Sequence, residues 1–437
     1  MKVLLIDNMR AFLDYAMRLQ DEGHQVRVWM ADKNGQRAKT GNGLITRVPS
    51  WESSVRWADI IISSDNARHM RNLESLRRQG YPVINIHGDL AEWELNRSQG
   101  QKIFQKASIP TLESTKFTSY DEAIAFVDKT RKRYVSKPDG DADKAMSYVS
   151  SGPKEMIAML QRWKKTVPIK EPFILQEFVP GIEMAIAGWF GPGGFSAHFL
   201  ENFEFKKFMN DDYGVNTGEQ GTLLKYTTES KLADKVLRPL EGELYRQGYV
   251  GFIDVAVIVD SSGTPWPLEF TCARFGWPLF QIQQELHPEG VEWMRDLFSG
   301  FDSFKPKDGI AAGVVVSMPD YPYSRLTGKK VEGFPIWGIT DRNKKHVHLS
   351  DAMLGNGPDE INGKIKMVPL PVTCGDYVYV ASGVSNTVKG ATEKAYKITD
   401  EVTFPNSPNI RTDIGKRLEK ELPKLQTLGY ATGWKYD

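Results

Sequence analysis

Residues 251–276, GFIDVAVIVDSSGTPWPLEFTCARFG, read as two strands joined by a tight turn. Phe252, Ile253, Val255, Val257 and Val259 form a β-branched and aromatic run, Ser261-Ser262-Gly263 supplies the turn, and Trp266 to Phe270 resumes the extended pattern. Two carboxylates interrupt this apolar hairpin, Asp254 in the first strand and Glu269 in the second, and a turn near Ser262 brings them close across the pair. Like charges on a mostly apolar hairpin repel unless a cation sits between them. Magnesium bound by one or two carboxylates plus substrate phosphates fits that arrangement. Arg274, five residues after Glu269, offers a fork of donors for phosphate oxygens. The alternative is an edge hairpin with two solvated acids.

The rest of the chain bounds the problem without deciding it. At 437 residues it is too long for one compact core and suggests about two to four domains. Lys plus Arg number 56 against 55 Asp plus Glu, a net charge of +1, so nothing points to a polyanion such as nucleic acid. Cys272 and Cys374 cannot make a disulfide framework, which suits a reducing compartment. Met1-Lys2 leads straight into the strand VLLID, and no apolar run approaches membrane-spanning length. A cytoplasmic protein acting on small molecules, monomeric or weakly homo-oligomeric, is expected.

The first ~105 residues alternate strand and helix, as in a parallel sheet with crossover helices. KVLLID is a buried strand, Met9 to Glu22 an amphipathic helix with Phe12, Tyr15, Ala16 and Leu19 on one face, and Gln25 to Met30, Ile60 to Ser63 and Val83 to Ile86 are further strands. Ser119 is placed to cap a helix with Glu122 at its third position. Further on, Gly313 to Met318, His346 to Leu349 and Asp376 to Ala381 read as strands and Ser385 to Ile398 as a helix. His346 and His348 alternate beside Lys344 and Lys345 with no third ligand nearby, which reads as a solvated strand rather than a metal site.

Several stretches together resemble the phosphoribosylamine–glycine ligase family of the ATP-grasp superfamily: LEFTCARFGWP at residues 268–278, RYVSKP at 133–138, FILQEFVPGIE at 173–183, EFKK at 204–207, GVNTGEQG at 214–221, ELNR at 94–97, and RTDIG at 411–415. The resemblance covers nearly the whole chain. It implies a mixed α/β and α+β multidomain architecture, with an N-terminal parallel α/β domain over 1–105 and a lid subdomain over 106–190. An ATP-grasp catalytic core over 191–303 and a small β-rich C-terminal domain over 304–437 would follow. It implies ATP and Mg2+ (or Mn2+), with Asp254, Glu269 and Thr271 on the metal. Nucleotide contacts would come from Arg97, Lys137, Lys144, the strand at Gln176, Glu177 and Val179, and Glu183 on the ribose hydroxyls. Lys206 and Arg274 would supply positive charge, and Asn216 and Thr217 would line the site of acyl-phosphate formation. The implied reaction joins a carboxylate, glycine or another small amino acid, to an amine.

The chain departs from the family at four places. Thr271 replaces a metal-binding Asn, and the loop 140–146 (GDADKAM) holds a single glycine and two acids around Lys144. Glu219-Gln220 replaces Gly-Met. Asp7 to Phe12 (DNMRAF) replaces a glycine-rich turn whose amides receive the substrate's phosphate in the family. Side chains there are expected to obstruct a phosphate nest, leaving Arg10 either on an anion or on the surface. Asp7 would then bind a hydroxyl or amine, or merely cap the following helix. The alternatives are the same chemistry on a different pair of substrates, such as a modified nucleotide, or a degenerate nucleotide-binding homologue.

Overall fold

The computed structural model describes residues 1–31, 39–64, 68–84, 88–138, 147–170, 172–271, 279–323, 325–326, 330–406 and 409–437. Strands β1 (Lys2–Asp7), β2 (Gln25–Met30), β3 (Ile60–Ser63) and β4 (Val83–Ile84) form a parallel sheet in the order β2-β1-β3-β4. β1 is apolar on both faces because each is covered: Val3 and Leu5 join one core, Leu4 and Ile6 another. The helix that follows β1 spans Leu13–Asp21, shorter than the expected run from Met9, because residues 8–12 are a loop wound around a side chain.

A second, antiparallel sheet forms the lid: β5 (Ser114–Phe117), β6 (Tyr134–Pro138), β7 (Tyr148–Val149) and β8 (Phe173–Glu177), ordered β5-β8-β6-β7. The helices Tyr120–Thr130 and Pro153–Thr166 pack on it around a core of its own that includes Phe117, Val127, Leu160, Trp163 and Phe173. Ser119 caps the first of them, accepting from Glu122 N at 3.4 Å.

The largest sheet carries β9 (Ile182–Gly191), β10 (Gly194–Lys207), β11 (Asn216–Thr227), β12 (Gly251–Val259), β13 (Pro265–Thr271), β14 (Ile310–Ser317) and β15 (Val347–Leu349). A projecting hairpin, β16 (Ala352–Ile361) with β17 (Lys364–Thr373), follows, and β18 (Tyr377–Ser385) returns to the large sheet. The order is β13-β12-β9-β10-β11-β14-β18-β15. The expected boundary near residue 304 therefore runs across a continuous sheet, since β14, β15 and β18 extend it beyond β11.

His348 is not solvated: it is 5% exposed, wedged between Asp14 Oδ2 at 2.9 Å, Ser382 Oγ at 3.0 Å and Glu285 Oε1 at 3.4 Å. His346 also reaches Glu285, at 2.9 Å, and Gln284 donates to Asp14 at 2.8 Å. Burial alone would drive the imidazole neutral, but hydrogen bonds and charge from Asp14 and Glu285 raise its pKa to about 9. Because that lies above the unfolded value near 6.5, the stabilisation is complete below pH ~6.5 and is lost as pH rises through about 9. His348→Gln is therefore expected to lose on the order of 2–3 kcal/mol relative to wild type at pH 6 and much less at pH 9.5. Urea denaturation at the two pH values checks this, and an equal loss at both would refute it.

Candidate active site

The 251–276 hairpin forms as β12 and β13. Its turn is held by Asp260, whose carboxylate accepts from Ser262 N, Thr264 N and Trp266 Nε1, each at 2.9 Å, while Gly263 takes φ +82°. Asp254 pairs with Thr271 and Ala256 with Glu269, so the two acids share a face and sit diagonally, two residues out of register. The neighbouring strands extend that face. Asp254 aligns with Ala187 and Ala256 with Ala185, and Ala185 aligns in turn with Asn202. By the alternation of strand side chains, Glu183, Asn202, Glu204 and Lys206 point the same way. The small alanines leave a polar cleft above the sheet.

Charge is distributed unevenly within it. Lys206 Nζ lies 2.8 Å from Glu183 and 3.1 Å from Glu204, and although burial opposes its charge, those acids raise its pKa well above the usual value. Glu269 meets Arg97 at 2.5 Å. Burial opposes that carboxylate's charge, but Arg97, Lys137 and Lys206 bring its pKa to about 2. Arg97 opens the helix Arg97–Lys106, capped by Asn96, which accepts from Gln99 N at 3.1 Å. Gly100 lets that helix approach the preceding helix, where a Cβ would stand 2.4 Å from Trp93 O, and the helix packs on β13 through Phe104 stacked on Phe270 at 4.2 Å. Lys137 reaches in from β6 of the lid. Its burial lowers its pKa to about 8, with Glu269 opposing the shift.

For Asp254 and Glu219 the attraction of Lys206 is outweighed by burial. Both are nearly inaccessible, at 1% and 5% exposed, and burial raises both pKa values well above the carboxylate range, with Glu204 adding to each. Asp254 Oδ1 and Glu219 Oε1 are buried without hydrogen-bond partners. Orphaned buried carboxylate oxygens fit a bound cation. Among the described residues no three carboxylate, imidazole or thiol groups converge on one point, so an ion here would need oxygens from a ligand as well.

The other expected residues divide. Thr217 Oγ1 donates to Lys206 O at 2.8 Å and accepts from Gln220 Nε2 at 3.0 Å, tying the 214–221 loop to β10, while Asn216 is exposed. Gln176 and Glu177 lie in β8, flanked by β5 and β6, and the Glu177 side chain is paired with Lys132 at 2.8 Å. Val179 lies just beyond that strand. Lys144 and Arg274 fall outside the described residues. Two further acids face this site with no role expected of them: Glu204, within the EFKK motif, and Glu219, within the Glu219-Gln220 departure. The signal that could have found Glu204 is the alternation Asn202, Glu204, Lys206 on one strand.

The loop after β1 corrects the expectation most. Asp7 is fully buried, and its carboxylate accepts from Met9 N and Ala11 N at 3.1 Å, Phe12 N at 2.9 Å and Ser64 Oγ at 2.8 Å. Arg10 adopts φ +60°, which turns successive amides toward one centre. A nest therefore forms without glycine, and the chain's own carboxylate fills it. Asp7 holds the loop's own amides and does not cap the helix, whose N-cap is Phe12 with no side-chain cap, and Arg10 is buried, donating to Ala31 O at 2.9 Å.

An antiparallel lid and a large antiparallel sheet thus bring these charged side chains together beside a parallel α/β sheet. Residues 96–279 match the family described as phosphoribosylglycinamide synthetase, ATP-grasp (A) domain, and the chain carries that domain. It is similar to a bifunctional purine biosynthetic protein of Pichia angusta, 26% identical over 80% of this chain and 44% of that protein. A phosphoribosylamine–glycine ligase of Vibrio cholerae is 24% identical, over 79% of this chain and 80% of the relative. The crystal structure of phosphoribosylamine–glycine ligase from Thermotoga maritima superposes with a TM-score of 0.71 at 19% identity, covering 94% of this chain and all of that one.

Proposed function

We propose that this chain is an ATP-dependent ligase that joins a carboxylate to an amine through an acyl phosphate, releasing ADP and phosphate. The observation that carries this reading is the convergence of Asp254, Glu269, Glu183, Lys206, Arg97 and Lys137 from two sheets and one helix into a single cleft of the matched domain. In this reading Lys137 and Lys206 hold the triphosphate from opposite sides of the cleft. Arg97 keeps Glu269 ionised and oriented. Glu183 accepts from the ribose hydroxyls, and the segment around Gln176, Glu177 and Val179 lies along the base. Asp254 and Glu269, with Thr271 beside them, would hold Mg2+ or Mn2+, which would supply positive charge to offset that building on the transferred phosphoryl group. The protein's part is positioning and electrostatics, with Thr217 fixing the backbone of the 214–221 loop near the reacting carboxyl. Arg274 and Lys144 are assigned by resemblance alone.

The carboxylate in this reading is an amino acid, and the amine lacks a phosphate that would need the loop after β1. The reading is tested by ADP release from Mg-ATP with a panel of amino acids, each with and without candidate amines. Amide product is expected only when both partners are present, and no ADP release with any pair would overturn it. Glu183→Ala should weaken ATP binding by about 1–3 kcal/mol, the usual range for hydrogen bonds to a charged group. Calorimetric titration with ATP measures this, and unchanged affinity removes Glu183 from the site.

A further inference from the structure

Within the cleft, each carboxylate but one has an assigned counter-charge. Arg97 neutralises Glu269, Lys206 lies between Glu183 and Glu204, and Asp254 is given to the metal ion. Glu219 is left over. It projects from β11 where the strand's pairing with β10 becomes irregular: Phe205 pairs with Gly221, but Lys207 pairs with Asn216. Glu219 is 5% exposed, its Oε1 has no hydrogen-bond partner, and Glu204 and Asp254 repel it while Lys206, already bonded to Glu183 and Glu204, attracts it from a distance. A carboxylate so placed costs stability unless something else needs it. Its neighbours on the 214–221 loop are committed elsewhere: Thr217 and Gln220 bond each other, and Gln220 reaches Tyr321 at 3.3 Å.

We infer that Glu219 is a specificity-determining residue that recognises an organic cation, an ammonium or guanidinium group carried by one of the two substrates. A second metal ion is the weaker occupant, because Glu219, Glu204 and Asp254 do not converge closely enough to hold one. A polyatomic cation donates along several directions and spans the wider gap. The inference rests on the ligase reading for the word substrate, but the binding of the cation does not depend on turnover.

The test uses the full chain saturated with MgADP and three matched probe pairs: glycine against acetate, lysine against norleucine, and methylammonium against methanol. Affinity is read from the logarithmic rise of melting temperature with ligand concentration, fitted for one site. The charged member of at least one pair is expected to bind about tenfold or more tightly in wild type, as for a hydrogen bond to a charged group. Glu219→Gln, which keeps the shape, should erase that preference while leaving MgADP affinity unchanged. The inference is overturned if no pair shows a preference or if the preference survives in Glu219→Gln. It is also overturned if the variant shifts only the Mg2+ concentration needed for ADP binding, which makes Glu219 a metal ligand. Absence of ADP release with every substrate pair would instead remove the ligase reading and leave this result standing.

Discussion

Asp254→Asn is expected to lower turnover by roughly 10²–10³-fold or more, the cost of losing several kcal/mol of metal-borne charge stabilisation, while the melting temperature of the nucleotide-free protein stays level or rises. Both halves follow from the same geometry. Asp254 is buried to 1% exposure with an orphaned oxygen, so its charge opposes folding and its removal relieves that cost. Glu269→Gln should lose activity comparably and lose stability as well. Its pKa is drawn to about 2 by Arg97 and Lys137 against the cost of burial, so its charge stabilises the fold above pH ~4.5, and that contribution fades as pH falls toward 2. Steady-state ADP release and thermal melts of the two variants, run side by side, separate the roles. Near-native turnover in either would remove the hairpin from the metal site, and equal stability changes would refute the electrostatic distinction.

Phosphoribosylamine is expected to be a poor second substrate, with a specificity constant well below the ordinary enzyme range of ~10⁴ M⁻¹s⁻¹ or more. The amides of Met9, Ala11 and Phe12 already bond Asp7, so a phosphate arriving at this loop finds no free donors among them and meets a buried carboxylate. Asp7→Ala should not convert the loop into a phosphate site but should destabilise the protein by roughly 2–4 kcal/mol, because it orphans the Ala11 and Phe12 amides and the Ser64 hydroxyl together. Kinetics with glycine, ATP and freshly generated phosphoribosylamine decide the first point, and chemical denaturation the second. An efficient reaction would return the chain to the plain purine-ligase assignment.

What the sequence made legible was local. The alternation of β12 and β13, the turn at Ser261-Ser262-Gly263 and the shared face of Asp254 and Glu269 each depend on residues within one hairpin. The Ser119 cap is equally local, and the parallel first sheet follows from successive strand and helix units over residues 2–84. What escaped depends on partners far along the chain. Asp7 is satisfied partly by Ser64, 57 residues away, and by a left-handed Arg10 that no propensity favours. His348 is buried by Asp14, 334 residues away, so its charged neighbours Lys344 and Lys345 misled the local reading. Arg97 is paired with Glu269, a partner 172 residues away, because its helix packs on β13 through Phe104 against Phe270.

The large sheet also has a history written into its order. β11 acquires its outer neighbour only when β14 arrives, pairing Gly221 to Leu224 with Val314 to Ala311, and β18 completes the edge at residues 377–385. During synthesis, the first sheet and the lid can close on residues already emerged, since domains fold as units from the N-terminus. The strands that carry Asp254, Glu269 and Lys206 pair among residues 182–271, but the sheet they form stays open at one side. Until about the last third of the chain has left the ribosome, β11 presents a bare row of amides and carbonyls, a template for pairing with another nascent chain. The C-terminal segment is thus the element that shields the catalytic sheet from aggregation while the protein is being made.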